Sequence, residues 1–510
     1  MFASIEIGGI EYDLNESELT AEVSANGGNY SGSIVIPSSI NYEGAKYSVT
    51  SIGSSAFSWC TNMTSITIPN SITSIGYSAF YHCTSLTSVT IPQSVYSVAN
   101  RAFEGCSSLT TVNWNAQYCP DFGFYNEGPF YDSKITSIIF GEEVTRIPAY
   151  FCDNSKTLTS VSISNSEASI GKHAFDGCKN LASITFGEKL QSIEYGAFYG
   201  CASLKSLIIP NSAYSIESGA FIGCTNIVSM EGPACAFDVI ESMWPNYTSL
   251  LQTAKVASGT LTENGFGFIN RSHKTLKSLD ISATENTTLA DEAFKGCYTL
   301  EELILPAHLT EFGYMAVADC KHLQSITIPW SVTKIDDSAF EDCRSLAKLE
   351  FESESQLKTI GAWAFYNCHN LPQIELPEGV TEIGDAAFYG CVYAESLKLP
   401  ASVKKIGDNA FALCSKLTRM NVDAVLPPTI VEKTFYEVSR KAPVYVPDES
   451  VDLYKGDALW GQMNIVGRSQ SPSAIDNTFV DPKAVKRIVN GQILILRGSH
   501  TYTLTGQEVR

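Results

Sequence analysis

The sequence predicts an α/β-type repeat solenoid dominated by strands, a coil whose successive turns lay a parallel sheet along one edge. Three observations predict it. Phenylalanines recur at a spacing of 23 residues, at Phe57, Phe80 and Phe103 and again at Phe175, Phe198 and Phe221. Their surroundings repeat too: Ile52-Gly53, Ala56-Phe57, Cys60, Met63, Ile66, Ile68 and Pro69 return as Ile75-Gly76, Ala79-Phe80, Cys83, Leu86, Val89, Ile91 and Pro92. And of 15 cysteines, 13 occupy one slot of that repeat: Cys60, Cys83, Cys106, Cys152, Cys178, Cys201, Cys224, Cys297, Cys320, Cys343, Cys368, Cys391 and Cys414. A chain of 510 residues is too long for one ordinary core, whereas a repeat array grows in one dimension.

Taken in order, residues 1–50 read as a β-rich N-terminal cap. Ile5-Glu6-Ile7 and Ser33-Ile34-Val35-Ile36-Pro37 are strand signals, and Tyr42-Glu43-Gly44 is a hairpin turn. A cap is expected because the end of a solenoid otherwise leaves an open strand edge. Residues 51–466 are the array. In each copy the alternating, β-branched stretch before the proline is a short strand with one buried side. Pro69, Pro92, Pro210, Pro329 and Pro377 withhold an N–H and stop it. An Ile-Gly turn then leads to the Ala-Phe pair, two anchors on the opposite wall. Gly105, Gly177, Gly200, Gly223, Gly296 and Gly390 precede the cysteine, where a tight turn needs positive φ. Downstream, Phe294, Phe340, Phe365, Phe388 and Phe411 keep the period, with Val317 in one aromatic slot, and some sixteen turns are expected.

Two segments break the pattern, 115–150 and 231–274. Phe221 to Phe294 is 73 residues, room for about three degenerate copies. Both read as irregular turns within one solenoid; a domain break at 231–274 is the alternative. Helix is expected only in turns or in 231–274. The array closes through Phe435, Val444-Tyr445-Val446-Pro447 and Trp460, and 467–510 is a linker with a short β tail.

These units resemble the leucine-rich repeats of BspA-like bacterial surface proteins, with cysteine before the strand and proline after it. The resemblance covers residues 50 to 466 and implies a leucine-rich repeat right-handed coil, an extracellular or cell-surface location and adhesion to host matrix or bacterial surface proteins. The end of the chain, through Tyr502-Thr503-Leu504-Thr505-Gly506, resembles the sorting tails of type IX secretion substrates. Read from its residues alone it is a small β-hairpin.

Composition narrows the function. A net charge of −20 repels nucleic-acid phosphates and anionic membranes. No stretch reaches the roughly 18 apolar residues of a membrane span, and the first residues carry no basic-then-apolar signal peptide. The cysteines stand a turn apart and do not form the Cys-x-x-Cys pairs of metal sites, so they read as small buried residues. Cys119 and Cys235 lie outside the ladder, and a bridge between them stays open. His82, His322 and His369 sit beside ladder cysteines but on the exposed turn. Gly265-Phe266-Gly267-Phe268-Ile269-Asn270 is similar to a dinucleotide loop but lacks its third glycine and a βαβ setting. Nothing gathers a nucleophile, a base and an oxyanion donor, so no enzyme, metal or cofactor is expected.

What remains is binding. In a strand reading x-Ile-x-Ile the x residues face out. The N-terminal half presents Ser65, Thr67, Ser88, Thr90, Ser183 and Thr185; the C-terminal half presents Lys348, Glu350, Gln373, Glu375, Lys398 and Arg419. That charged set, on four successive turns, is the candidate site for a protein ligand. The competing expectation is a spacer or surface-layer component without a specific ligand. Oligomeric state is not legible.

Overall fold

The computed structural model describes residues 3–164, 166–239, 249–471, 484–489, 492–497, 500–503 and 508–509. Each turn of the coil enters along a strand of three to six residues, and 18 such strands run from Met63–Thr67 to Asn464–Gly467. Like residues stand opposite one another: Val112 pairs with Val89 and with Ile138, and Ile326 with Leu349. Ile326 and Ile328 point inward and are buried, while Ser325 and Thr327 face solvent. The count exceeds sixteen because both irregular segments carry strands that the phenylalanine spacing does not mark.

One sheet was expected, but the coil has more than one hydrogen-bonded wall. The residues before the glycine form a second parallel ladder of two-residue strands, such as Ser169–Ile170 on Ser192–Ile193 and Thr359–Ile360 on Glu382–Ile383. Along the Ala-Phe wall the backbone bonds again from turn to turn: Phe80 N–H donates to Ala102 O at 2.7 Å and Phe340 N–H to Ala364 O at 2.7 Å. Backbone groups of the coil thus find partners on three sides, as burial requires.

The glycine after isoleucine has a different role from the turn expected of it. A Cβ on Gly76 would lie 2.6 Å from Ser54 N, and one on Gly384 would lie 2.5 Å from Ala362 N. The slot is a close approach between stacked backbones. The glycine before cysteine does need positive φ: Gly105 has φ 72° and Gly390 has φ 71°. Elsewhere Trp59, His82 and Asp342 hold that conformation at φ 59°, 55° and 57°, a strain of about 1–2 kcal/mol each that the stacking sustains.

Inside, the phenylalanines stack into a spine. Phe57–Phe80 and Phe80–Phe103 have centroids 5.1 and 4.7 Å apart, and Phe340–Phe365, Phe365–Phe388 and Phe388–Phe411 lie 5.1, 5.0 and 5.5 Å apart. Each such pair adds about 0.5–1.5 kcal/mol beyond its burial. Tyr30 closes the spine at one end and Trp460 at the other. Trp460 is buried, and its indole N–H donates to Pro428 O at 2.8 Å.

The cysteine ladder has one misassignment. Cys201 donates its thiol to Phe175 O at 3.3 Å and Cys343 to Val317 O at 3.3 Å, the carbonyl of the aromatic slot one turn earlier. Cys178 donates instead to Cys152 O at 3.0 Å. Cys152 N–H bonds Ala174 O just as Phe175 N–H bonds Ala197 O. Cys152 therefore sits in the aromatic slot, and Ser155 takes the cysteine position. The ladder holds twelve cysteines. All 15 are free, Cys119 and Cys235 included, so the bridge left open between those two does not form.

At the N-terminus, strands Ala3–Ile7, Ile10–Asn15 and Thr20–Val23 form an antiparallel meander whose last strand pairs in parallel with Ala45–Ile52. That strand and Ser39–Tyr42 make a hairpin turning at Glu43 and Gly44, both at positive φ. In 231–274 the main sheet continues through Ser229–Pro233, Thr253–Ser258 and Ser278–Asp280, the three copies the spacing allows. Helices α1 (Ala234–Val239) and α2 (Glu263–Arg271) replace the narrower walls of two of them. Thr262, the N-cap of α2, donates its hydroxyl to Asp238 of α1 at 2.8 Å. The βαβ setting denied to Gly265–Asn270 therefore exists, but the glycines lie within α2 rather than in a phosphate-cradling turn. A further helix, α3 (Val451–Gly456), lies in the turn between Pro443–Val446 and Asn464–Gly467 and helps close the C-terminal end, its Tyr454 hydroxyl donating to Ala424 O at 2.8 Å. The tail is a four-stranded antiparallel meander of Ala484–Val489, Gln492–Arg497, His500–Thr503 and Glu508–Val509 rather than a single hairpin.

Candidate interaction surface

The outward face of the main sheet changes character along the coil. In the first half Ser88 stands beside Thr111, Thr111 beside Ser137, and Ser137 beside Ser160, a uniform column of hydroxyls. In the second half Lys348, Glu350, Gln373, Glu375, Lys398 and Arg419 are all exposed. Lys348 and Glu350 pair at 2.9 Å. Glu375 stands opposite Lys398, and Arg419 opposite Ser396. Ion pairs this open contribute at most about 1 kcal/mol to folding, which leaves the charges available to a partner.

The four strands that carry the six do not belong to one continuous sheet. Lys348–Phe351 and Gln373–Glu375 belong to different sheets, and the split opens a depression of 540 Å³. Glu350, Gln373, Glu375 and Lys398 line it, together with Leu349, Phe351 and Glu352, which the sequence did not single out. Lys348 and Arg419 stand outside its lining. Two signals could have marked the place: Phe340 to Phe365 is 25 residues rather than 23, and Pro372 stands where the next strand begins.

The opposite, Ala-Phe wall carries side chains that pin the irregular loop 115–150. Tyr125 donates to Asp176 at 2.9 Å, and the same carboxylate takes His173 Nδ1 at 2.7 Å. Burial and the carboxylate raise the Tyr125 hydroxyl above its usual range, so it remains protonated. Arg146 bridges Asp121 at 2.9 Å and Glu194 at 2.6 Å. Of the histidines beside ladder cysteines, His82 stacks on Trp59 at 4.4 Å and His322 bonds Tyr298 O. Burial pushes the thiols of Cys224 and Cys297 up to about 12 and those of Cys178, Cys201, Cys320 and Cys368 well above their ordinary value, which disfavours the thiolate that a metal or a nucleophilic reaction needs. Among the described residues no group of three or more His, Cys, Asp or Glu is placed to hold a metal ion.

Comparison with known proteins fits this geometry. The BspA type leucine rich repeat region matches residues 37–159, 145–267, 266–356 and 347–455. The chain belongs to this family. Solved structures to which the chain is similar include a leucine-rich repeat protein from Bacteroides ovatus, 23% identical over 78% of this chain and 95% of that one, TM-score 0.34. Another is a leucine rich cell surface protein from Faecalibacterium prausnitzii, 24% identical over 82% and 94%, TM-score 0.31. A third is the pneumococcal vaccine antigen PcpA, 17% identical over 92% and 98%, TM-score 0.24. No curated protein matches the sequence. Leucine-rich repeat proteins commonly bind proteins, and among the described residues no helix is long and apolar enough to cross a membrane.

Proposed function

We propose that this chain is a non-enzymatic extracellular or cell-surface binding protein that holds a protein ligand on the C-terminal half of its sheet, in adhesion to host matrix or bacterial surface proteins. In this reading residues 1–50 cap the array, 51–466 present the surface, and the tail in 467–510 serves export or attachment. The observation that carries it is the change from a hydroxyl column to Lys348, Glu350, Gln373, Glu375, Lys398 and Arg419, of which four surround a depression in the sheet. Long charged side chains offer charge-assisted contacts and steering that serine and threonine lack. The uncharged, largely Ser/Thr face of the first half favours a second reading, a spacer whose length matters more than its surface.

The test presents the immobilised intact protein with purified host matrix proteins and bacterial surface proteins. One variant reverses Lys348, Lys398 and Arg419 to glutamate; a control changes Thr67, Thr90 and Thr185 to lysine. The proposal expects binding to change at least tenfold in the first variant only, falling for an acidic ligand and rising for a basic one. Equal binding by wild type and the first variant removes the patch, and absence of any ligand favours the spacer.

A further inference from the structure

We infer that the split in the sheet receives an extended, basic segment of a partner polypeptide, which enters as an added strand. The inference rests on the sheet face being the protein-binding surface and specifies how that surface binds. Lys348–Phe351 pairs on one side only, with Ser325–Ile328, and Gln373–Glu375 on one side only, with Ser396–Leu399. Two strand edges therefore face each other in mid-array with unpaired N–H and C=O groups, the template on which strand addition works.

The chemistry of the split bears on its occupant. In the flanking turns the residue before the strand donates to its predecessor: Ala347 N–H to Gln324 O at 2.9 Å, and Glu395 N–H to Pro372 O at 2.8 Å. Pro372 has no N–H to give Ala347, so the bond between these two turns cannot form. Leu349 and Phe351 point inward yet are only half-buried, whereas Ile326 and Ile328 in the preceding strand are 2% and 0% exposed. The floor of the split is thus apolar and open. Its rim carries Glu350, Glu352 and Glu375 against Lys398, with Lys348 paired to Glu350 from just outside, on a chain of net charge −20. The sheet is also interrupted after Met63–Thr67 and after Ser183–Thr185, but the outward residues flanking those breaks are uncharged, serines and threonines together with the exposed Ile208. An inserted strand alternates its side chains between floor and rim. The occupant that fits is a segment alternating apolar residues with lysine or arginine.

The probe is an acetylated, amidated octapeptide of alternating lysine and valine, compared with a glutamate–valine peptide and with a lysine–valine peptide N-methylated at alternate residues. Binding is read by fluorescence anisotropy on the full chain, and its place by amide hydrogen exchange. The lysine–valine peptide should bind and slow exchange in 348–351 and 373–376. N-methylation, the glutamate–valine sequence, and the double variant Glu350→Lys/Glu375→Lys should each weaken binding at least tenfold. Pro372→Ala restores the missing donor, so it should slow exchange in both strands without peptide and also weaken peptide binding at least tenfold. If the N-methylated peptide binds as tightly while charge reversal still abolishes binding, the surface reading stands and the inserted strand is overturned. If charge reversal changes nothing, both fall.

Discussion

Raising the pH should unfold this protein well before its tyrosines and lysines titrate. Cys320, Cys343 and Cys368 lie on three successive turns, all buried, and burial pushes each thiol well above its ordinary value. A free thiol in an unfolded chain ionises near about pH 8.5. Above that pH the unfolded chain has lost protons that the folded chain keeps, so stability is flat below pH 8.5 and falls as pH rises toward the folded values. At pH 9.5, one unit above the unfolded pKa, each such thiol removes about 1.4 kcal/mol, and the three together about 4 kcal/mol. Tyr12 and Tyr30, pushed up to about 12, begin to contribute only above the ordinary tyrosine pKa near about 10. The window from about pH 7.5 to 9.5 therefore isolates the cysteines. Urea unfolding followed by circular dichroism, under reductant and without oxygen, reads the loss. The decisive comparison is with a variant carrying Cys320→Ala, Cys343→Ala and Cys368→Ala, which should be less stable at pH 7.5 but should lose about 4 kcal/mol less on going to pH 9.5. Equal pH slopes in the two proteins would refute the reasoning.

Thiol titration should find few reactive cysteines in the native protein and all 15 after denaturation; many reactive thiols before unfolding would contradict the buried ladder. Cys343→Ser should cost only about 1 kcal/mol in a denaturant melt, because Val317 O, 3.3 Å from the thiol, remains as an acceptor and Ser155 already occupies this slot one turn before Cys178. A loss above about 3 kcal/mol, the figure for an unpartnered buried hydroxyl, would show that the carbonyl does not accept. Gly384→Ala should lower stability by about 1–3 kcal/mol, since its Cβ would meet backbone at 2.5 Å and the neighbouring turn must shift. An unchanged melting midpoint would show that the turns are less tightly stacked.

Much of the fold was legible because the repeat states it many times over. Phe57, Phe80 and Phe103 each announce the same buried slot, and one unusual residue such as Val317 leaves the period intact. Reading failed where spacing and environment diverge. Phe151-Cys152 imitates the Phe and Cys of the template, yet only the hydrogen bond to Ala174 O reveals that Cys152 has moved into the aromatic slot. The second ladder was hidden because two residues per turn give no alternation to read. The glycine after isoleucine was attributed to a turn because a close approach between turns leaves no mark in one copy. The candidate site was half legible. The outward charges of Lys348, Glu350, Gln373, Glu375, Lys398 and Arg419 follow from strand alternation alone. The split that divides them coincides with Pro372, whose missing donor matters only once the neighbouring turn is in place.

The claim that most needs testing is that the C-terminal half of the sheet is where this protein meets its partner. Once a purified partner has been identified with the immobilised protein, amide hydrogen exchange on the intact protein, free and bound, reads the contact directly. Protection on binding should fall in the strands Lys348–Phe351, Gln373–Glu375, Ser396–Leu399 and Arg419–Val422, with the strands from Ser88 to Thr185 unchanged. Protection confined to 115–150, to the helices of 231–274 or to the Ala-Phe wall would contradict the account and move the binding surface off the sheet.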